Sequence, residues 1–103
     1  MVTASFFGKA AEYTGFEIKG HAGYDVAGQD IVCAAISAMT MLAINTIETG
    51  FGVSSSLDVD EDSGTIRFSV NEKSDAALTV LSSFRDELLA LSAEYPQNIL
   101  VKE

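Results

Sequence analysis

The spacing of apolar and polar residues along the chain predicts five short strands and two helices. In the strands the two kinds of residue alternate, as in residues 13–19, where Phe16 and Ile18 share one face. The four residues 61–64, EDSG, separate two such runs and are typical of a β-hairpin turn. The predicted strands cover residues 2–7, 13–19, 57–60, 65–70 and 98–102.

The first predicted helix lies in the longest stretch without charge, residues 31–47, with the sequence IVCAAISAMTMLAINTI. Asp30 precedes it and is a good N-cap, because its carboxylate can accept hydrogen bonds from the first-turn amides. Gly50 and Gly52 predict its end. At 17 residues, with several polar ones, the stretch is short for a membrane span. Apolar side chains surround this helix, so we expect the sheet and a second helix or subunit to cover it.

The second predicted helix begins after Ser74, which is a suitable cap, and ends before Pro96. Its apolar residues recur every three or four positions, which predicts a single buried stripe. The resulting order is ββαββαβ, and it favours an α+β fold with an antiparallel or mixed sheet in one domain, residues 1–103. The stripe consists of Ala77, Leu81, Phe84, Leu88, Leu91 and Tyr95.

The composition limits the class of protein. A chain of 103 residues with 48% apolar and 20% charged residues is typical of one folded domain, not of a disordered chain. A single cysteine cannot form an intramolecular disulfide, which favours a reducing, cytoplasmic location. The first ten residues contain neither a basic leader nor a long apolar run, so no signal peptide is predicted.

The net charge of −9 arises from 15 acidic and 6 basic residues. Such a balance disfavours direct binding to nucleic acid, which requires clustered basic side chains. It favours attraction to a basic partner, although it also serves solubility alone. The charge alone does not separate these two interpretations, and no direct contact to nucleic acid or membrane is predicted.

The only histidine, His21, and the only cysteine, Cys33, lie on either side of a glycine-rich loop. If Asp30 caps the helix, Cys33 lies in its first turn, where the helix dipole favours the thiolate. The first-turn amides could also hold an oxyanion. A cysteine and a nearby histidine can serve as nucleophile and base. However, His21 follows strand positions that face away from Phe16, so the pair requires a bend at Gly20.

Simpler interpretations of the same residues remain open. A lone cysteine in an apolar helix is often a buried structural residue, and loop glycines are often ordinary turn residues. No metal site is predicted, because the sequence has no paired ligand spacing such as C-x-x-C. No cofactor is predicted. A redox role for Cys33 would normally require a second, resolving cysteine.

The segments GHAGY at residues 20–24 and GQDIVCAAIS at residues 28–37 resemble the signature of the bacterial ribosomal-processing cysteine proteases, the Prp or YsxB-like family. The signature begins at Gly20, has an aspartate three residues before the cysteine, and ends at Ser37. The order of elements and the chain length are also similar, so the resemblance extends over nearly the whole chain.

The resemblance implies a small α+β homodimer with His21 and Cys33 as the catalytic pair. Asp30 is expected to support the site as a helix cap or orienting residue. It implies a substrate, large-subunit ribosomal protein twenty-seven, whose N-terminal extension is removed after a pair of phenylalanines. The alternative function is a non-catalytic dimeric ribosome-assembly or adaptor module of the same fold. A thiol redox protein is the third candidate. The glycine-rich loop would cover the site as a mobile lid, and its residues include Gly23, Tyr24 and Gly28.

Overall fold

The computed structural model describes residues 1–9, 12–26 and 29–103, and over these residues the chain forms five strands and two α-helices. Their order is ββαββαβ, as the sequence predicts. A π-helical turn, Thr46–Gly50, continues the first helix. The elements are β1 Val2–Lys9, β2 Glu12–Lys19, α1 Ile31–Asn45, β3 Ser55–Asp60, β4 Thr65–Val70, α2 Asp75–Glu94 and β5 Ile99–Lys102.

The five strands form one mixed sheet in the order β3-β4-β2-β1-β5. Neighbouring strands are antiparallel except for β1 and β5, which are parallel because α2 carries the chain back across the sheet. The register places Phe6 opposite Phe16 and Phe16 opposite Phe68. All three rings are buried on one face, with centroids of neighbouring rings 5.5–5.9 Å apart. Both helices pack on this face, which therefore carries the core.

Helix α1 buries one stripe of its surface in this core. Thr40 is a polar member of the stripe, and its hydroxyl donates a hydrogen bond to the carbonyl of Ile36 at 2.7 Å, which satisfies it. Together with the π-helical turn, α1 forms a helical segment of 20 residues, long and apolar enough to cross a membrane. Its packing against the sheet makes it a core helix here. The buried residues are Val32, Ile36, Thr40, Ala43 and Ile44.

Helix α2 has the predicted cap, and the first four of the six predicted stripe positions are buried; Leu91 and Tyr95 are partly buried, and Tyr95 follows the helix. The Ser74 hydroxyl oxygen accepts a hydrogen bond from the amide of Ala77 at 3.1 Å. Phe84, in the middle of the helix, packs edge-on against Phe6 and Phe16. The helix ends at Glu94, two residues before Pro96, and the following turn leads into β5. The buried residues are Ala77, Leu81, Phe84 and Leu88.

The hairpin of β3 and β4 forms where the alternating pattern predicts it, and Gly64 in its turn has φ +65°. Leu57 and Val59 pair with Phe68 and Ile66, so they lie on the same face of the sheet as the core. Leu57 remains 42% exposed and Val59 remains 52% exposed, because the helices do not extend over β3. The fold therefore leaves an apolar strip of the sheet uncovered at this edge.

Candidate active site

Cys33 lies at the beginning of α1, in the position that the sequence predicts. Asp30 is the N-cap, and its Oδ1 accepts hydrogen bonds from the amides of Val32 and Cys33 at 2.9 and 3.0 Å. Cys33 is thus the third helical residue, and its thiol is free and partly buried. The start of a buried helix fixes the position of this sulfur better than a loop would.

The second carboxylate oxygen of Asp30 joins the helix to the preceding loop. Oδ2 accepts hydrogen bonds from the amides of Tyr24 and Asp25 at 2.9 and 3.2 Å. The pKa of Asp30 is lowered below its usual value, mainly by the hydrogen bond from the Cys33 amide. Burial acts in the opposite direction, and the bonds from the other three amides lower the pKa further. The charged carboxylate of Asp30 therefore connects the loop to the helix start. All four of its hydrogen bonds are to backbone amides, and none is to the His21 ring.

Asp30 should contribute stability that depends on pH in a defined direction. Its folded pKa is depressed below the ordinary value of 3.8, so the contribution is present above that pH and is lost as the pH falls through the folded pKa. Asp30→Asn retains one acceptor oxygen, which can serve the helix or the loop but not both. We expect its melting temperature to lie several degrees below that of the wild type at pH 7.

Thermal melts of the two proteins between pH 7 and pH 2 measure this difference. The difference in melting temperature should become smaller as the pH falls below 3.8, because protonated Asp30 in the wild type then lacks the negative charge that Asp30→Asn also lacks. Asp25→Asn is a matched control, since Asp25 is a neighbouring, exposed carboxylate. A gap that is unchanged across this range would contradict the assigned role of the Asp30 charge.

The first-turn amides are not arranged as an oxyanion site. Their position beside Cys33 predicts that they hold an oxyanion, but the amides of Val32 and Cys33 both donate to Asp30 Oδ1. A capping carboxylate and an oxyanion would compete for the same donors. The sulfur of Cys33 instead accepts a hydrogen bond from the backbone N–H of Ala22, with 3.3 Å between the nitrogen and Sγ. The Ala22 amide is therefore a candidate stabiliser of negative charge on the Cys33 sulfur.

Ala22 is itself held in place by a distant residue. Its side chain is buried, and its carbonyl oxygen accepts a hydrogen bond from Asn98 Nδ2 at 2.8 Å. Asn98 lies in the connection between α2 and β5, 76 residues away along the chain. The sequence pattern predicts Asn98 only as the first residue of the last strand. No local pattern signals its contact, because the sheet topology creates it.

The bend that the sequence requires at Gly20 is present. Strand β2 ends at Lys19, and Gly20 has φ +95°. A Cβ at Gly20 would lie 2.6 Å from the carbonyl oxygen of Met1, so a larger residue would strain this turn. The bend directs Ala22 toward the core, whereas the side chain of His21 stays exposed.

The imidazole of His21 lies beside the turn between β3 and β4. Its Nε2 is 3.7 Å from the position that a Cβ on Gly64 would occupy. Within the described residues, no hydrogen bond joins His21 to Cys33. Ala22, the next residue after His21, donates its backbone N–H to the sulfur. Catalytic hydrogen bonds are often long before substrate binds, so the pairing of His21 with Cys33 stays a prediction.

The loop after His21 packs against the end of α2. Gly23 has φ +71° and open space around it, which suits a hinge. The Tyr24 ring contacts the Tyr95 ring edge-on, with a centroid distance of 5.3 Å and an interplanar angle of 83°. The predicted lid function of this loop stays a prediction, and Gly28, at its other end, lies outside the described residues.

The remaining signature residue, Ser37, is exposed on α1, one helical turn after Cys33. Among residues 1–9, 12–26 and 29–103, no three His, Cys, Asp or Glu side chains lie together as a metal site would require. The fold brings together a partly buried thiol and a backbone donor on its sulfur, while the exposed imidazole of His21 lies beside Gly64. This set of groups suits nucleophilic attack by sulfur on a carbonyl.

The similarities to known proteins extend over nearly the whole chain. Residues 1–100, which include His21 and Cys33, match the family model described as cysteine protease Prp. The ribosomal processing cysteine protease Prp of Bacillus subtilis (strain 168) is 31% identical over 91 residues, covering 84% of this chain and 81% of that protein. The structure of ribosomal processing protease Prp from S. aureus with a covalently linked product peptide is 25% identical, with TM-score 0.92 over 99% of this chain and 98% of that chain. A protein from Streptococcus mutans is 27% identical, with TM-score 0.84 over 99% and 92% of the two chains.

Proposed function

Because the chain belongs to the cysteine protease Prp family and is therefore a cysteine peptidase, we propose that it removes an N-terminal extension from a ribosomal protein. The observation that carries this proposal is the position of Cys33 at a helix start, with the amide of Ala22 on its sulfur and His21 next to Ala22. The family match favours this function over a non-catalytic adaptor of the same fold.

In the proposed mechanism the sulfur of Cys33 attacks the scissile carbonyl carbon. His21 takes the thiol proton and returns it to the leaving amine, so a thioester joins the N-terminal part of the substrate to Cys33. Water then attacks the thioester with His21 again as base, which releases the acid and restores the thiol. Asp30 holds the loop and the helix start together during both steps.

We propose large-subunit ribosomal protein twenty-seven, carrying an N-terminal extension, as the substrate, with cleavage after a pair of phenylalanines. The net charge of −9 supports this assignment, because ribosomal proteins are generally basic and an acidic enzyme attracts them. The related protein from Bacillus subtilis is named a ribosomal processing protease, and the one from S. aureus has been solved with a product peptide. A cytoplasmic location follows from this substrate.

Incubation of the protein with the extended ribosomal protein, followed by mass spectrometry of the new N-terminus, tests the function. We expect one cut, after the Phe-Phe pair. A matched substrate with Ala-Ala in place of Phe-Phe separates recognition of the aromatic pair from general proteolysis. Release of the extension from both substrates at equal rates would contradict the proposed specificity, and release from neither would contradict the proposed function.

We also propose that the protein is a homodimer that associates through the outer face of α1. This face is apolar but uncovered: Leu42 is 68% exposed, Ile31 is 58% exposed and Met41 is 44% exposed. Leu57 and Val59 are further exposed apolar residues, on the sheet face that carries the core. Exposed apolar side chains on one helix face are typical of a subunit interface, and a second copy would complete the burial that the sequence predicts for α1.

The variant Leu42→Glu should therefore shift the protein from dimer to monomer, because the interface would bury an unpaired charge. Leu100→Glu is the matched control, since Leu100 is also exposed but lies on the opposite face of the sheet. Sedimentation velocity at several concentrations measures the state of each variant. A wild type that is monomeric at every concentration, or two variants that dissociate equally, would contradict this interface.

A further inference from the structure

Asn98 is fixed on a rigid part of the fold and points at the active-site segment. The backbone N–H of Asn98 donates a hydrogen bond to the backbone carbonyl of Tyr95 at 3.0 Å. The backbone carbonyl of Asn98 accepts one from the backbone N–H of Val2 at 2.8 Å. These bonds attach Asn98 to the end of α2 and to the first residue of β1. Its side chain then reaches Ala22, where Nδ2 donates to the carbonyl oxygen at 2.8 Å. A carbonyl oxygen only accepts, so the amide nitrogen must face Ala22.

Gly20 and Gly23 flank the segment that Asn98 holds, and both have positive φ. Glycine restricts the backbone less than other residues do, so contacts from outside the segment must define the orientation of residue 22. Ala22 is constrained by its buried methyl group, by the bond from its amide to Cys33 Sγ and by the bond from Asn98. The first of these contacts is non-directional, and the second involves the reacting atom itself. Asn98 supplies the directional constraint that does not depend on the sulfur.

The same connection holds the loop at a second point. Tyr95, three residues before Asn98, carries the ring against which Tyr24 packs. The turn between α2 and β5 therefore contacts the active-site segment on both sides of Gly23. A lid that swings about Gly23 would break the Tyr24 contact but could retain the bond between Asn98 and Ala22.

We propose that Asn98 is a positioning residue for the peptidase reaction. It acts through Ala22, whose orientation determines how well the Ala22 amide stabilises negative charge on Cys33 and where the neighbouring His21 projects. This inference rests on the proposed function for its effect on cleavage, but its effect on the thiol stands without that function. Its physical basis is that small displacements of catalytic groups cost much more rate than stability.

The test compares Asn98→Asp with Gln97→Glu. The first change keeps the shape of the side chain but replaces the donor with an acceptor that repels the Ala22 carbonyl. The second makes the same change of charge at the adjacent, exposed residue. For Asn98→Asp we expect cleavage of the Phe-Phe substrate to fall about tenfold or more. Alkylation of Cys33 by iodoacetamide should also be slower at pH 7, with its pH profile displaced to higher pH.

Gln97→Glu should match the wild type in both assays. If Asn98→Asp does not fold, Asn98→Ala removes the same donor without adding charge, and the same two results are expected of it. The inference is overturned if the Asn98 variants have the alkylation profile of Gln97→Glu, even where their melting temperatures are lower. If the wild type cleaves no substrate, the proposed function fails, and the alkylation profiles still decide the role of Asn98.

Discussion

Replacing Cys33 with alanine is expected to abolish peptide cleavage while the protein remains folded. The sulfur is the proposed nucleophile, and loss of a nucleophile typically costs on the order of 10⁴-fold or more in rate. Alanine is the most favourable residue in a helix, and the Cys33 side chain is only partly buried, so the cavity that it leaves is small. The helix cap is also retained, because Asp30 binds the backbone of residue 33 and not its side chain.

Cys33→Ser is the matched variant for this experiment. Its hydroxyl oxygen can still accept the hydrogen bond from the Ala22 amide, whereas alanine leaves that amide without its partner. Serine is a much weaker nucleophile than a thiolate, so both variants should be inactive, with the serine variant melting closer to the wild type. Circular dichroism and the substrate assay measure the two effects. Turnover by Cys33→Ala at the wild-type rate would remove Cys33 from the mechanism.

Replacing His21 with alanine is expected to reduce cleavage nearly as much. His21 is the only histidine in the chain and the proposed base, so no second imidazole can take its place. Its side chain is exposed beside Gly64, and we therefore expect stability to change by no more than about 0.5 kcal/mol. A large loss of rate without a loss of stability would separate a catalytic imidazole from a structural one.

The double variant Cys33→Ala with His21→Ala tests whether the two residues act together. Residues that form one catalytic unit are not additive, so the double variant should be no slower than either single variant. Lys19→Ala provides a control, because Lys19 is also exposed near the end of β2 and has no proposed catalytic role. Cleavage by His21→Ala at the rate of Lys19→Ala would exclude His21 as the base.

The sequence alone predicts most of the fold because its signals are local. Alternation identifies the strands, and the stripe from Ala77 to Leu88 identifies the buried side of α2. Asp30 and Ser74 signal the helix starts through side chains that bond amides two or three residues away. Gly50 and Gly52 predict the end of the first helical segment, and the helical backbone ends at Gly50; the π-helical form of its last turn has no local signal in the sequence.

The local geometry of the active site is only partly determined by local sequence. The bend at Gly20 and the cap at Asp30 can be predicted, because each depends on one residue and its neighbours. The bond from the Tyr24 amide to the second carboxylate oxygen of Asp30 cannot be predicted in this way, because it depends on how the loop returns to the helix. The expected oxyanion role of the first-turn amides fails for the same reason, since the carboxylate that starts the helix also occupies those donors.

By itself, the sequence determined the order of elements, the apolar central helix and the position of Cys33 in its first turn. Only the tertiary structure decided which groups surround the sulfur. The Ala22 amide reaches Cys33 because the chain turns toward the core at Gly20, and Asn98 reaches Ala22 because β5 pairs in parallel with β1. These contacts join residues far apart in the chain, and their geometry depends on strand pairing and helix packing that no local pattern encodes.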